Sequence, residues 1–205
     1  YNDETDGTLN ALGTPAKCGE TRDIFGAACC SAWNQPHATV TKSSRMFSYR
    51  PHAALRSRVH AIDVIESAGG QTTVLPSSAA VLGFQYRGRV RAGDQVLSLA
   101  GVTGIQGGPR QYGYEPNTAS ILVRFTAQGA TCLGVPASQL AGCSVALDAI
   151  LPAARLREVS EHLLEAASPS ARVEVIQAML LALPFAPDRL IARASERLTD
   201  SVAAA

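Results

Sequence analysis

The chain has 205 residues, 46% of them apolar and 17% charged, with a formal net charge of +1. That apolar content excludes an intrinsically disordered chain, and so small a charge excludes a field able to hold a nucleic-acid backbone unaided. No apolar run reaches the roughly 18–20 residues of a helical membrane span, and Tyr1-Asn2-Asp3-Glu4-Thr5-Asp6 is acidic where a secretory signal starts basic.

A cytoplasmic protein is therefore expected. Cys18, Cys29, Cys30, Cys132 and Cys143 are odd in number and scattered. They predict reduced thiols, because a disulfide framework needs pairs and a closed zinc site needs about four ligands at short spacings.

In chain order, the first break falls near Arg45-Met46. Residues 1–46 hold both lysines, Lys17 and Lys42, and the only Trp, Trp33, among Gly, Thr, Ala and Asn without clear period. They read as a flexible leader, or as sequence not native to the domain with Met46 as the start. The chain does not open on Met, which fits an excerpt of something longer. Residues 47–130 carry eight Arg against four acids, a net of +4, and residues 131–205 six Arg against eight acids, a net of −2. The sign changes where the hydrophobic period changes, so an α+β chain is expected, β-rich over 47–130 and helical over 131–205.

The middle zone predicts about seven short strands. Val59–Glu66 is rich in β-branched residues and stops at Gly69-Gly70. Thr72–Leu75 stops at Pro76, and Ala79–Tyr86 turns at Arg87-Gly88. Gln95–Leu99 alternates, and Val102–Ile105 closes before Gly107-Gly108-Pro109. Gln111–Glu115 places Tyr112 and Tyr114 on one face. Thr118–Phe125, with Ile121-Leu122-Val123, is the best strand. Turn signals about every ten residues point to an antiparallel sandwich or small barrel. The last zone predicts one turn over 136–140, then a cluster of about three helices. These are Asp148–Ala167, a second capped by Ser168 with Pro169 near its first position, and a third from Pro187 through Leu198. Their apolar stripes serve as packing faces or as faces that pair two subunits.

Catalytic chemistry is hard to find. Of His37, His52, His60 and His162, only His60 falls within a predicted strand, and no His-x-His pair exists. No metal site or cofactor is expected, since three or more convergent ligands are the minimum. Asp63 and Glu66 are three apart, on opposite faces of a strand, which is poor geometry for joint acid–base work. No Gly-x-Ser-x-Gly elbow occurs, and Gly101-Val102-Thr103-Gly104 lacks the Lys-Ser/Thr of a phosphate loop. Binding is expected in place of catalysis. Tyr86, Tyr112 and Tyr114 are candidates to grip a small ligand or simply to pack. Arg124 is either an inward anion-binding group or an Arg with a packed stem and a solvated head. His60 completes the set of candidate ligand-binding residues.

Several blocks, in order, resemble one family. Tyr49-Arg50-Pro51-His52-Ala53-Ala54-Leu55-Arg56-Ser57-Arg58-Val59 resembles the opening of the N-terminal domain of one branch of AraC/XylS-type transcription regulators. Thr73-Val74-Leu75-Pro76, Val123-Arg124-Phe125-Thr126-Ala127-Gln128-Gly129-Ala130, Leu133–Leu140 and Val145-Ala146-Leu147-Asp148 are similar to the blocks that follow. The resemblance covers roughly residues 47–200. Ser77-Ser78 stands where the family often has Asp-Gly, and Gln128-Gly129 where it has Pro-Gly.

The resemblance implies a cupin-like β-barrel that senses a small-molecule effector over 47–130. Linker or dimerisation helices over 131–205 would follow, and then helix-turn-helix units that would begin about where this sequence stops. It implies a homodimer that meets DNA only through that missing domain, with no enzymatic activity. Two rivals remain: a small-molecule enzyme on a cupin-like barrel, and a stand-alone dimerisation module without a ligand.

Overall fold

The computed structural model describes residues 44–185 and Arg193. Its centre is a pair of strands that the sequence makes almost unavoidable. β2 (Val59–Ser67) and β9 (Thr118–Phe125) are dense in Val, Ile and Leu, and they run antiparallel with Ile62 opposite Val123 and Val64 opposite Ile121. β-branched side chains pack well on a pleated surface, and cross-strand pairs of them are the unit of sheet stability. Around this pair lie β1 (Ser44–Tyr49), β4 (Val81–Arg87), β7 (Ala100–Thr103) and β10 (Ser144–Ala146), in the order β1-β2-β9-β4-β7-β10. A second antiparallel sheet has the order β3-β8-β5-β6, from β3 (Gly70–Val74), β8 (Arg110–Tyr114), β5 (Val90–Ala92) and β6 (Gln95–Val96). Hydrogen bonding keeps these as two antiparallel sheets, so of the expected sandwich or small barrel, no closed barrel forms among the described residues.

The large sheet has two unlike faces. Ile62, Val64, Leu82, Phe84, Val102, Ile121 and Val123 point to one side and are fully buried. They meet Leu156, Val159 and Leu163 of α2 (Ala153–Glu165) and Val173, Ile176, Met179 and Leu180 of α3 (Pro169–Leu181) in one core. Each such side chain contributes about 1.5–3 kcal/mol on burial, so this face dominates stability. The opposite face carries Gly83, Gln85, Gly101, Thr103 and Ser120, which are small or polar and leave room toward the second sheet.

The helices begin where chain chemistry dictates. Ser168 Oγ accepts from Ala171 N–H at 3.1 Å, and Pro169 follows in the first turn, as predicted. The helix expected over 148–167 is shorter. Pro152 restricts Leu151 away from helical angles, so Leu147–Ala149 closes a separate 3₁₀ turn and α2 starts at Ala153. The one-turn segment becomes α1 (Ala137–Leu140). The helix expected over 187–198 lies outside the described residues except for Arg193. No described helix is long and apolar enough to cross a membrane.

Three strands have no counterpart in the sequence prediction. β1 crosses the expected boundary at residue 46, β5 is three residues long, and β10 lies inside the zone read as helical. β10 forms because Ser144–Ala146 reaches the free edge of β7, a partner more than forty residues earlier. Conversely, Gln95–Leu99 yields only the two residues of β6.

Candidate functional site

The small and polar face of the large sheet lines a cavity of about 290 Å³. Val81, Gly83 and Gln85 of β4, Ser120 and Leu122 of β9, Gly101 and Thr103 of β7, and Ser144 of β10 form one wall. Val74 of β3, Val90 of β5, and Arg110, Tyr112 and Tyr114 of β8 form the facing wall, with Leu75, Leu97, Ser98 and Gln106 from connecting loops. The space exists because glycine, serine and threonine stand where the other face of the same strands carries Leu, Phe and Val. Such a volume sits at the low end of small-molecule pockets, and a mostly apolar wall with a few placed polar groups is their usual make-up.

The polar groups are held in place by one another. Gln85 Nε2 donates to the Ser98 carbonyl at 2.7 Å, while its Oε1 accepts from Val90 N–H at 2.8 Å. One side chain thus ties β4 to β5 and to the loop that follows β6. Arg110 Nη1 donates to Ser144 Oγ at 2.8 Å, and Ser144 Oγ shares a hydrogen bond of 3.0 Å with Thr103 Oγ1. This chain joins β8 of the small sheet to β10 and β7 of the large one. The Arg110 guanidinium also lies 5.8 Å from the centre of the Tyr112 ring, within cation–π range. Burial raises the Tyr114 phenol above its ordinary 10.0, and the neighbouring Tyr112 adds in the same direction. Tyr114 is therefore neutral at any physiological pH and serves as a hydrogen-bonding group.

The five candidate residues from sequence do not converge. Tyr112 and Tyr114 line the cavity together, two apart on one face of β8. Tyr86 does not line it: it is the extra residue of a bulge in β4 against β9, it packs against the helix-side core, and Arg172 of α3 lies 4.6 Å over its ring. His60 is exposed, because it is the extra residue where β2 shifts register between Val59 and Ala61. Arg124 shares the face of Leu122 but is taken by Asp63, with Nε 2.8 Å from Oδ2 and Nη2 donating to Oδ1 at 3.4 Å. The Nε contact is an ion-pair distance without hydrogen-bond alignment. Ser48 Oγ donates to the same Asp63 Oδ1 at 2.6 Å, so that carboxylate is fully engaged.

Sequence reasoning missed Arg110, Gln85, Thr103 and Ser144. Arg110 had a signal, since it directly precedes the Tyr112–Tyr114 face by period two. Ser144 had none, because β10 is specified only by its distant partner. No carboxylate, imidazole or thiol stands among the lining residues. No cluster of three or more His, Cys, Asp and Glu occurs among the described residues. No family model, curated protein or solved structure matches this chain.

Proposed function

We propose that this chain is the effector-sensing and dimerising part of a bacterial AraC-type transcription regulator, cytoplasmic, acting on DNA through a helix-turn-helix domain outside this sequence. The observation that carries the sensing half is the cavity: a small, mostly apolar space between two antiparallel sheets, with polar groups already fixed by hydrogen bonds. A wall without carboxylate, imidazole or thiol suits recognition better than proton transfer or covalent catalysis. A site between two antiparallel sheets, on the inner face of their strands, supports the cupin-like reading. The regulator assignment rests on the ordered resemblance of residues 47–200 and is an argument by analogy.

The same strands that line the cavity bear α2 and α3 on their other face. Effector binding that favours one spacing of the sheets biases how those helices present themselves, provided the effector prefers that spacing. Leu164 of α2 is 65% exposed and Leu181 of α3 is 41% exposed, which gives a dimer contact apolar material. Two experiments test the reading. A screen of small molecules by thermal shift should find binders whose stabilisation disappears in Tyr112→Ala and Tyr114→Ala; unchanged shifts in both variants remove the cavity from the role. Translation of the coding sequence beyond Ala205 should reveal two helix-turn-helix units in a basic stretch of about 100 residues. A stop codon there sinks the DNA-regulating half of the proposal.

A further inference from the structure

Resting on the reading of the cavity as an effector site, we infer that its effector is a small organic monoanion, a carboxylate on a compact apolar body, held by Arg110. Among the described residues that line the cavity, Arg110 is the only ionised side chain. A guanidinium offers five N–H donors in a planar fork. Among the described residues Ser144 takes one of them, and no carboxylate lies within ion-pair distance of Arg110. The contrast with Arg124 is direct, since that guanidinium is neutralised by Asp63 and sits outside the cavity lining.

Several other polar groups on the wall are committed elsewhere. Gln85 spans two strands, Gln106 Nε2 donates to the Gly104 carbonyl at 3.0 Å, and Thr103 bonds Ser144. The remaining hydroxyls, such as those of Tyr112, Tyr114 and Ser120, are neutral, so the charged donors left over belong to one cation. A neutral ligand that desolvated this half-buried guanidinium would return at most neutral hydrogen bonds for its lost hydration, whereas an anion would return charge-assisted ones. The planar fork matches the two oxygens of a carboxylate. A second negative charge would find no second cation on the wall, so a monoanion fits and a dianion does not. Leu97, Leu122 and Val81 line the same space and receive an apolar body.

The test is isothermal titration of the full chain with cyclohexanecarboxylate and hexanoate, each against its own primary amide, which keeps the shape and removes the charge. The acids should bind at least tenfold tighter than the amides. Arg110→Met should weaken the acids by roughly ten- to a hundredfold while leaving the amides unchanged, and Arg110→Lys should fall between. Amides that bind as well as acids would overturn the monoanion, as would acids that bind Arg110→Met undiminished; in both cases the cavity remains an effector site. Failure of all four compounds to bind would overturn the compact monoanion, and the thermal-shift screen then decides separately whether the cavity takes any ligand. The acid–amide comparison uses the unaltered chain, so it decides the matter even where Arg110→Met does not fold.

Discussion

Replacing Arg58 with Met probes how the helical layer is fastened to the sheet. Arg58 sits just before β2 and is only 8% exposed. Its Nη1 donates to the carbonyls of Leu180 at 3.1 Å and Leu183 at 3.3 Å, at the C-terminal end of α3, and its guanidinium lies 4.9 Å from the Phe185 ring centre. A cation at a helix C-terminus satisfies carbonyls that have no partner within the helix and opposes the negative end of the dipole. Two charge-assisted bonds are worth about 1.5–3 kcal/mol each, and the ring contact about 1 kcal/mol. Against this stand the burial of a charge that no carboxylate pairs among the described residues, and an Nε with no acceptor. Met keeps the stem and removes the burial cost, but it takes the donor from the Leu183 carbonyl and leaves that of Leu180 with its backbone partner, the Leu183 N–H at 3.2 Å. The balance is a loss of about 2–4 kcal/mol. In a domain of this size that is roughly a 10 °C fall in melting temperature. Urea unfolding followed by far-ultraviolet circular dichroism should show a lower midpoint with unchanged slope. A shift under about 0.5 kcal/mol, or a gain, would mean that the cost of burying the charge cancels its bonds and that Arg58 does not fasten the layers.

Three further outcomes are expected. Gly104→Ala should destabilise by several kcal/mol, since a methyl there overlaps the Leu140 carbonyl group, whereas Gly107→Ala meets nothing and should change stability by no more than about 0.5 kcal/mol; equal melting temperatures for the two would contradict the packing of β7 on the end of α1. Burial pushes the Cys132 thiol up from 9.0 to about 11, against a smaller lowering by Arg58, and burial likewise raises Tyr86 and Tyr114. Groups that ionise more readily when unfolded favour the folded state fully below the unfolded value, so that stability should decline from about pH 9 to pH 11 and the slope should lessen in Cys132→Ala; a flat alkaline profile would count against these buried neutral forms. Asp63→Ala leaves Arg124 and Ser48 without their partner, and with Arg124 31% exposed the expected loss is about 1–3 kcal/mol by chemical denaturation, partly recovered in Asp63→Ala with Arg124→Leu.

Most of the local structure is legible in short stretches of the chain. Ile121-Leu122-Val123 and the β-branched run of β2 are committed to strands by steric preference, and Ser168-Pro169 opens a helix by capping chemistry that needs no distant partner. The pairing of Tyr112 with Tyr114 on one face follows from the period of a strand. The register was another matter. One extra residue in β2 turns His60 out to solvent, and another in β4 accompanies the placement of Tyr86 against α3 instead of the cavity. A bulge reassigns a side chain without leaving any mark in composition. Whether an arginine is spent or available was equally hidden. Arg124 and Arg110 both lie in strands, yet Asp63 neutralises the first across a strand pair, while among the described residues the second meets no carboxylate and bonds Ser144, which β10 delivers. Contacts between residues 61 and 34 positions apart in the chain are set by how strands are ordered in space, and that order is a property of the folded whole.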